Sequence, residues 1–195
     1  PLPPNGACPL ASINLARLVR QPFTEAAMLD LDELGYLTET AVRFLDNVIE
    51  VSRYPIPEQR WEAMNKRRIG IGLTGLGNAL IMMGVRYGSE QAVALLDRWM
   101  AQIQNTAYSA SADLAAERGS FPLYNRDAHL EQPVIAALDK DVRRKVAVFG
   151  LRNGLLTTIA PTGTVSMFGG NVSSGIEPVF AAAYKRRVTQ SDGSL

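Results

Sequence analysis

Leu155-Leu156-Thr157-Thr158-Ile159-Ala160-Pro161-Thr162-Gly163-Thr164-Val165-Ser166 is the stretch on which the fold class turns. Its first half is apolar and β-branched and lies between Gly154 and Pro161, which predicts a strand over 155–160. Its second half is small and rich in hydroxyls. With little side-chain bulk at Pro161, Thr162, Gly163, Thr164, Val165 and Ser166, backbone N–H groups can point into a shared space. Thr162, Thr164 and Ser166 add hydroxyl donors, so the segment can wrap a phosphate at a strand end. An ordinary strand-to-helix turn with a threonine cap accounts for the same residues equally well. The lysine of a nucleotide-hydrolysing P-loop is missing, which argues against that chemistry.

Working outward towards the N-terminus, 133–138 and 141–149 read as short helices, the second stopped by Gly150. Residues 120–129 form a polar loop that holds the only histidine, His129, read as surface. Ser89 is the expected N-cap of a long helix carrying Ala92, Leu95, Leu96, Trp99, Met100, Ile103 and Ala107 at helical spacing, with Gly119 ending it. From Thr38 onward, Ala41, Phe44, Leu45, Val48 and Ile49 are expected on one buried stripe, and Pro55 and Pro57 stop that helix. A helix is expected over 11–19, after an extended, proline-fixed start at 1–6.

Towards the C-terminus, Gly169-Gly170-Asn171-Val172-Ser173-Ser174-Gly175-Ile176-Glu177-Pro178 is too long for a tight turn. Functional loops have this composition, and so do flexible surface connections. Its single carboxylate, Glu177, cannot make an acid/base pair. A short strand is expected around 179–184, and Lys185-Arg186-Arg187 reads as a solvated edge that could also help hold a polyphosphate. Helices separated by isolated apolar strands suit an α/β fold with helical crossovers, helix-rich in this segment. The strands are too few to close a sheet, so a further segment is expected to supply the rest. No linker or repeat divides residues 1–195, which read as one unit.

The chain has 195 residues, 47% of them hydrophobic, enough for one sizeable core. Twenty basic against nineteen acidic residues leave a net charge of +1, which argues against a strong grip on nucleic acid or an anionic membrane. No apolar run is long enough to span a bilayer and no signal peptide is recognisable. The single cysteine, Cys8, excludes an internal disulfide and favours a cytoplasmic setting. One Cys and one His are too few for a zinc cluster. A start at Pro1 without methionine, and an end at Leu195 without a terminal element, read as a piece of something larger.

Gly70-Ile71-Gly72-Leu73-Thr74-Gly75 matches the dinucleotide fingerprint letter for letter, but the context does not. That motif needs a preceding strand, whereas 61–68 is charged and polar, and its ribose-binding acid is missing because Glu90 sits at a helix start. The reading that remains is a glycine-rich element on which a neighbouring helix packs closely. By base rate, Cys8 is a small buried hydrophobe.

Four blocks nevertheless resemble one family, the catalytic chain of ribonucleotide reductases. They are Pro1-Leu2-Pro3-Pro4-Asn5-Gly6-Ala7-Cys8 running into Ser12-Ile13-Asn14-Leu15; Arg67-Arg68-Ile69-Gly70-Ile71-Gly72; Gly150-Leu151-Arg152-Asn153; and Pro161-Thr162-Gly163-Thr164 with Ser174-Gly175-Ile176-Glu177-Pro178. Their order and spacing cover nearly the whole chain. The forms of the last block look like the adenosylcobalamin-dependent class, where diiron-dependent relatives typically carry Pro-Thr-Ala-Ser and Glu-Ser-Ile-Glu-Pro.

The resemblance implies a ten-stranded α/β barrel that removes the 2′-hydroxyl of a ribonucleotide by thiyl-radical chemistry. It makes Cys8 one member of the redox-active dithiol and Pro161, Thr162, Gly163, Thr164 and Val165, with Ser166 beside them, the loop that binds the substrate's phosphates. It implies adenosylcobalamin in the parent enzyme. The partners implied are the remainder of the barrel, a thioredoxin-like or other dithiol reductant and, as one option, a second copy of the parent. The family's Asn-x-Cys-x-Glu motif is expected just before Pro1, and the other redox cysteine and the effector site lie elsewhere too. The isolated segment is therefore expected to be inactive. Asn5 stands where relatives often carry an aromatic. The alternatives are a diiron-dependent reductase and a non-catalytic module that binds nucleotide phosphates.

Overall fold

A computed structural model describes residues 2–179, 181 and 183. Its centre is strand β4, Gly70–Thr74, in which all five residues are buried. Strand β1, Leu10–Asn14, pairs with it in parallel, Leu10 opposite Gly70 and Asn14 opposite Thr74. On the other side of β4 runs the extended chain that begins at Leu155, also parallel, bridged at Ile71 and Thr157. Ile71 N–H donates to Leu156 O at 2.8 Å and Thr158 N–H to Ile71 O at 3.0 Å.

The strand expected over 155–160 is thus present only as this bridged segment. A regular parallel ladder would send Ile69 N–H to Gly154 O, but it goes to Leu155 O at 3.0 Å, so the register slips by one residue and the ladder stops. Gly72 makes the close approach possible, since a Cβ there would lie 2.2 Å from Thr158 O. Gly70 and Gly72 of the fingerprint-like run therefore accommodate an extended chain, not the helix expected against them, and Gly75 packs against Asn14 and Ala16. The segment 61–66, whose polarity excluded a preceding strand, lies within helix α2, Pro57–Lys66.

The helix expected over 11–19 is replaced by β1, a 3-10 turn at Leu15–Arg17 and strand β2, Val19–Arg20, paired antiparallel with β3, Met28–Leu29. Pairing with β4, far away in sequence, overrides the weak local preference. Helix α1 spans Leu31–Val51, starting a full two turns before Thr38, because Asp30 caps it through Glu33 N at 2.9 Å. Its buried stripe is Leu34, Thr38, Val42, Leu45, Asp46 and Ile49; Phe44, expected inside, is 63% exposed.

Helix α3, Leu76–Met82, follows β4 directly, and α4, Glu90–Arg118, is N-capped by Ser89 and stopped at Gly119 as its sequence predicts. At ~1.5 Å per residue α4 is the longest rod of the molecule, and it packs between α1 and α7, Lys140–Phe149. Trp99, Ile103 and Ala107 on α4 are buried at its centre. The loop expected at 120–129 contains the start of a short helix, α5, Arg126–Leu130, followed by α6, Pro133–Ala136. His129 is not a free surface residue: its ring sits 4.8 Å from that of Tyr124 and 5.4 Å from that of Phe121, and Nδ1 lies 2.7 Å from Asn125 O. The last described helix, α8, is Gly163–Phe168. The expected strand around 179–184 and the run 185–187 lie outside the described residues, apart from Val179, Ala181 and Ala183, which carry no strand. Among the described residues the sheet does not close into a barrel.

Candidate functional site at the ends of the parallel strands

The C-terminal ends of β1, β4 and the bridged segment converge, as strand ends do where α/β folds bind ligands. Asn14 ends β1, with Oδ1 accepting Ala16 N–H at 3.1 Å and Nδ2 donating to Gly169 O at 2.9 Å. That second bond ties the end of α8 to the end of β1. Thr74 ends β4; its Oγ1 lies 2.9 Å from Ser173 O and 3.0 Å from Thr162 Oγ1, and Gly175 N–H donates to Thr162 Oγ1 at 2.7 Å.

Six residues were expected to form a phosphate loop, and they fall into two groups. Thr162 and Ser166 are buried, and their hydroxyls are engaged inside the protein. Ser166 Oγ donates to Gly163 O at 3.2 Å and lies 3.3 Å from Ser174 Oγ. Thr162 adopts the left-handed conformation, φ 55°, and stands at the N-cap position of α8 without a side-chain capping bond. Gly163, Thr164 and Val165, the first residues of α8, have backbone N–H groups with no acceptor among the described residues, and the Thr164 hydroxyl has none either. A Cβ at Gly163 would meet nothing within 4 Å. Pro161 is exposed and brings no N–H. The open surface is therefore a row of N–H groups and one hydroxyl, a donor set suited to phosphate oxygens.

The glycine-serine run after α8 is not a loose connection. It folds back over the start of α3, where Gly77 N–H donates to Ser173 Oγ at 2.9 Å, Gly75 N–H to Ser173 O at 2.8 Å, and Ser173 N–H to Asn78 Oδ1 at 2.7 Å. Tyr87 OH donates to Ile176 O at 2.6 Å. Glu177 remains exposed.

Cys8 precedes the N-terminal end of β1, whereas the loop leaves beyond the C-terminal ends, so the described residues do not bring the two together. The thiol is half-buried, with Sγ 3.9 Å from Pro9 O. Burial pushes its pKa up, and the nearby Arg68 guanidinium opposes that shift.

Two of the sequence blocks meet in a second place. Asp46, fully buried on α1, accepts from Arg67 Nε at 2.9 Å, Arg67 Nη2 at 2.8 Å and Asn153 Nδ2 at 3.1 Å. Arg118 and Arg152 reach its other oxygen at 3.3 and 3.4 Å. Ser111 on α4 donates to Asn153 Oδ1 at 3.0 Å and accepts Asn153 N–H at 3.1 Å. These groups anchor the chain just where it sets out along β4 towards the loop. The sequence motifs contain Arg67, Arg152, Asn153, Thr74 and Ser173 without a role for any of them, and Asp46 and Ser111 lie outside every motif. A lone Asp on the apolar stripe of α1 was the available signal, since a buried carboxylate needs partners.

Parallel strands whose ends feed a short helix, with amides that find no acceptor among the described residues, define a piece of an α/β domain. The comparisons name which: a model of the ribonucleotide reductase barrel domain matches residues 2–194, and the chain belongs to that family. It is 42% identical over 188 residues to a vitamin B12-dependent ribonucleoside-diphosphate reductase of Mycobacterium tuberculosis, covering 96% of this chain and 24% of the relative. The protein of the same name in Thermoplasma acidophilum is 35% identical over 188 residues, covering 96% and 22%. A ribonucleoside-diphosphate reductase large subunit of Caenorhabditis elegans is 32% identical over 195 residues, covering 95% and 24%. The chain thus spans about a quarter of the length of these curated relatives.

Proposed function

We propose that the 195 residues are one segment of the catalytic barrel of a ribonucleotide reductase, ten-stranded when complete, that supplies the substrate-phosphate loop and one thiol of the redox pair. The observation that carries this reading is the row of N–H groups at Gly163, Thr164 and Val165 and the Thr164 hydroxyl, none with a partner among the described residues, at the end of a parallel segment. Bound there, a nucleotide's phosphates would fix the ribose by position alone, with no chemistry at the loop. In the parent, Cys8 and a second cysteine outside this segment would together give two electrons and two protons. The 2′-hydroxyl would leave as water, a hydrogen would take its place on the sugar carbon, and the two sulfurs would end as a disulfide. A thioredoxin-like dithiol would then reduce that disulfide by exchange.

The names of the relatives from Mycobacterium tuberculosis and Thermoplasma acidophilum favour vitamin B12 dependence in the parent over a diiron partner. Neither of two surface cavities among the described residues is large enough for that cofactor. They measure about 290 and 410 Å³ and lie among the outer helices, away from Cys8 and the loop. Drug-sized ligands already occupy ~300–1,000 Å³, and a cobalamin is larger. No step is derived through it. No helix among the described residues is long and apolar enough to cross a membrane; that the parent works in the cytoplasm is part of the same proposal. Assembly of the parent as a homodimer is part of the same proposal.

In the full-length parent, Thr164→Val should weaken nucleotide binding roughly 10- to 150-fold, the loss expected for one hydrogen bond to a charged group. Unchanged affinity would remove the loop's role. Cys8→Ser should abolish turnover with a dithiol reductant and leave nucleotide binding intact; retained turnover would remove Cys8 from the redox pair, whereas nucleotide binding without any turnover in the unaltered parent would favour a module that only binds nucleotide phosphates.

A further inference from the structure

We propose that Thr74 is a positioning residue for nucleotide binding, acting on the phosphate loop through the Thr162 hydroxyl; this rests on the reading of that loop given above. The hydrogen bonds allow only one arrangement of protons. Ser173 O can only accept, so Thr74 must donate its one hydroxyl proton to it across 2.9 Å. The 3.0 Å contact between the two threonine oxygens must then be a donation from Thr162 to Thr74. Thr162 in turn accepts Gly175 N–H at 2.7 Å. The chain therefore runs Gly175 N–H to Thr162, Thr162 to Thr74, and Thr74 to Ser173 O, with Thr74 2% and Thr162 8% exposed.

Two consequences follow from that order. First, Thr162 has no proton left for a phosphate, so the loop's work divides: Thr162 shapes it and the residues after it bind. Second, Thr162 is a β-branched residue in the left-handed region, φ 55°, a conformation that persists only when its surroundings hold it. The direction of the N–H groups of Gly163, Thr164 and Val165 is set by the backbone of the residue before them. Thr74 is thus the contact from the sheet that fixes the angle at which the amides meet the ligand. The same oxygen also clips the returning loop at Ser173, so one hydroxyl locks both loops to the end of β4.

The test uses the full-length reductase and the isosteric Thr74→Val, with Thr74→Ser as the conservative partner. KM for the ribonucleotide should rise about 3- to 10-fold, more than kcat falls. Competitive inhibition by the nucleotide should weaken while inhibition by the parent nucleoside does not, because the nucleoside has no phosphate. Thr74→Ser should restore both values. Thr162→Val should have the same effect, and the double variant should be no worse than the worse single one, since both break the same chain. A fall in thermal midpoint and kcat with unchanged KM would overturn the proposal and leave Thr74 merely structural. Should Thr164→Val raise KM while Thr74→Val does not, this inference fails and the phosphate loop stands; if neither does, both fail together.

Discussion

Cys8 shows how a single residue's setting decides its chemistry. Thiolate is the reactive form in exchange, and here burial raises the pKa while Arg68 pulls it back, the burial being the larger effect. The sign follows directly: the thiol stays protonated up to and beyond the ordinary cysteine range, and reactivity grows only as pH rises through the shifted value. Alkylation of Cys8 in the reduced parent, followed by mass spectrometry of its peptide against pH, should give a midpoint above that of a free thiol. Arg68→Met should move the midpoint higher still. A midpoint at or below the free value would mean that a group from another part of the barrel activates the sulfur. Glu117 illustrates the opposite shift: the Arg43 guanidinium beside it, helped by Arg118, holds its carboxyl down to about 2. Any stability from that contact between α1 and α4 is present above the ordinary carboxylate range and lost as pH falls towards 2.

At the scale of elements, β4 depends on glycine for a reason that can be tested. Gly72→Ala would place a methyl group 2.2 Å from Thr158 O, and that atom belongs to backbone that cannot turn aside. The expected cost is about 3 kcal/mol or more, the upper end of overpacking effects, seen as a lowered unfolding midpoint of the parent. Gly163→Ala, with open space around it and no positive φ, should leave the midpoint unchanged. This contrast also explains what the sequence revealed. Helix α4 was legible because its signals are local: a Ser89 cap, a stripe from Ala92 to Ala107, and Gly119 at the end. Strands β1 and β4 were not, because Leu10–Asn14 and Gly70–Thr74 become strands only by pairing across some sixty residues. The loop was legible as a place, yet its division into buried Thr162 and Ser166 and open Gly163, Thr164 and Val165 was hidden. That division depends on Thr74 and Ser173, which reach it from β4 and from the returning loop.

Across the whole molecule, the Asp46 network joins what the local elements cannot. One carboxylate on α1 receives Arg67 from the end of α2, Arg118 from the end of α4, and Arg152 and Asn153 from the chain that leads to the phosphate loop. Arg67 is itself 2% exposed and left-handed at φ 44°, so it is held in place by these contacts and could not recover solvent if they were lost. Breaking a buried pair from one side leaves the other charge uncompensated, which costs about 3–5 kcal/mol. Asp46→Ala in the parent should therefore lower stability by that amount, whereas the exposed Arg144–Asp141 pair, at 68% and 89% side-chain exposure, should be nearly neutral when removed. A functional effect should accompany the loss. Asn153 N–H and its side chain fix the chain two residues before it joins β4, so freeing Asn153 should loosen the segment that delivers Pro161 to the strand ends. Under conditions where Asp46→Ala remains folded, nucleotide affinity should fall along with stability. Full affinity in a folded but destabilised Asp46→Ala would show that the bonds at Thr74 and Asn14 hold the loop without help from the network.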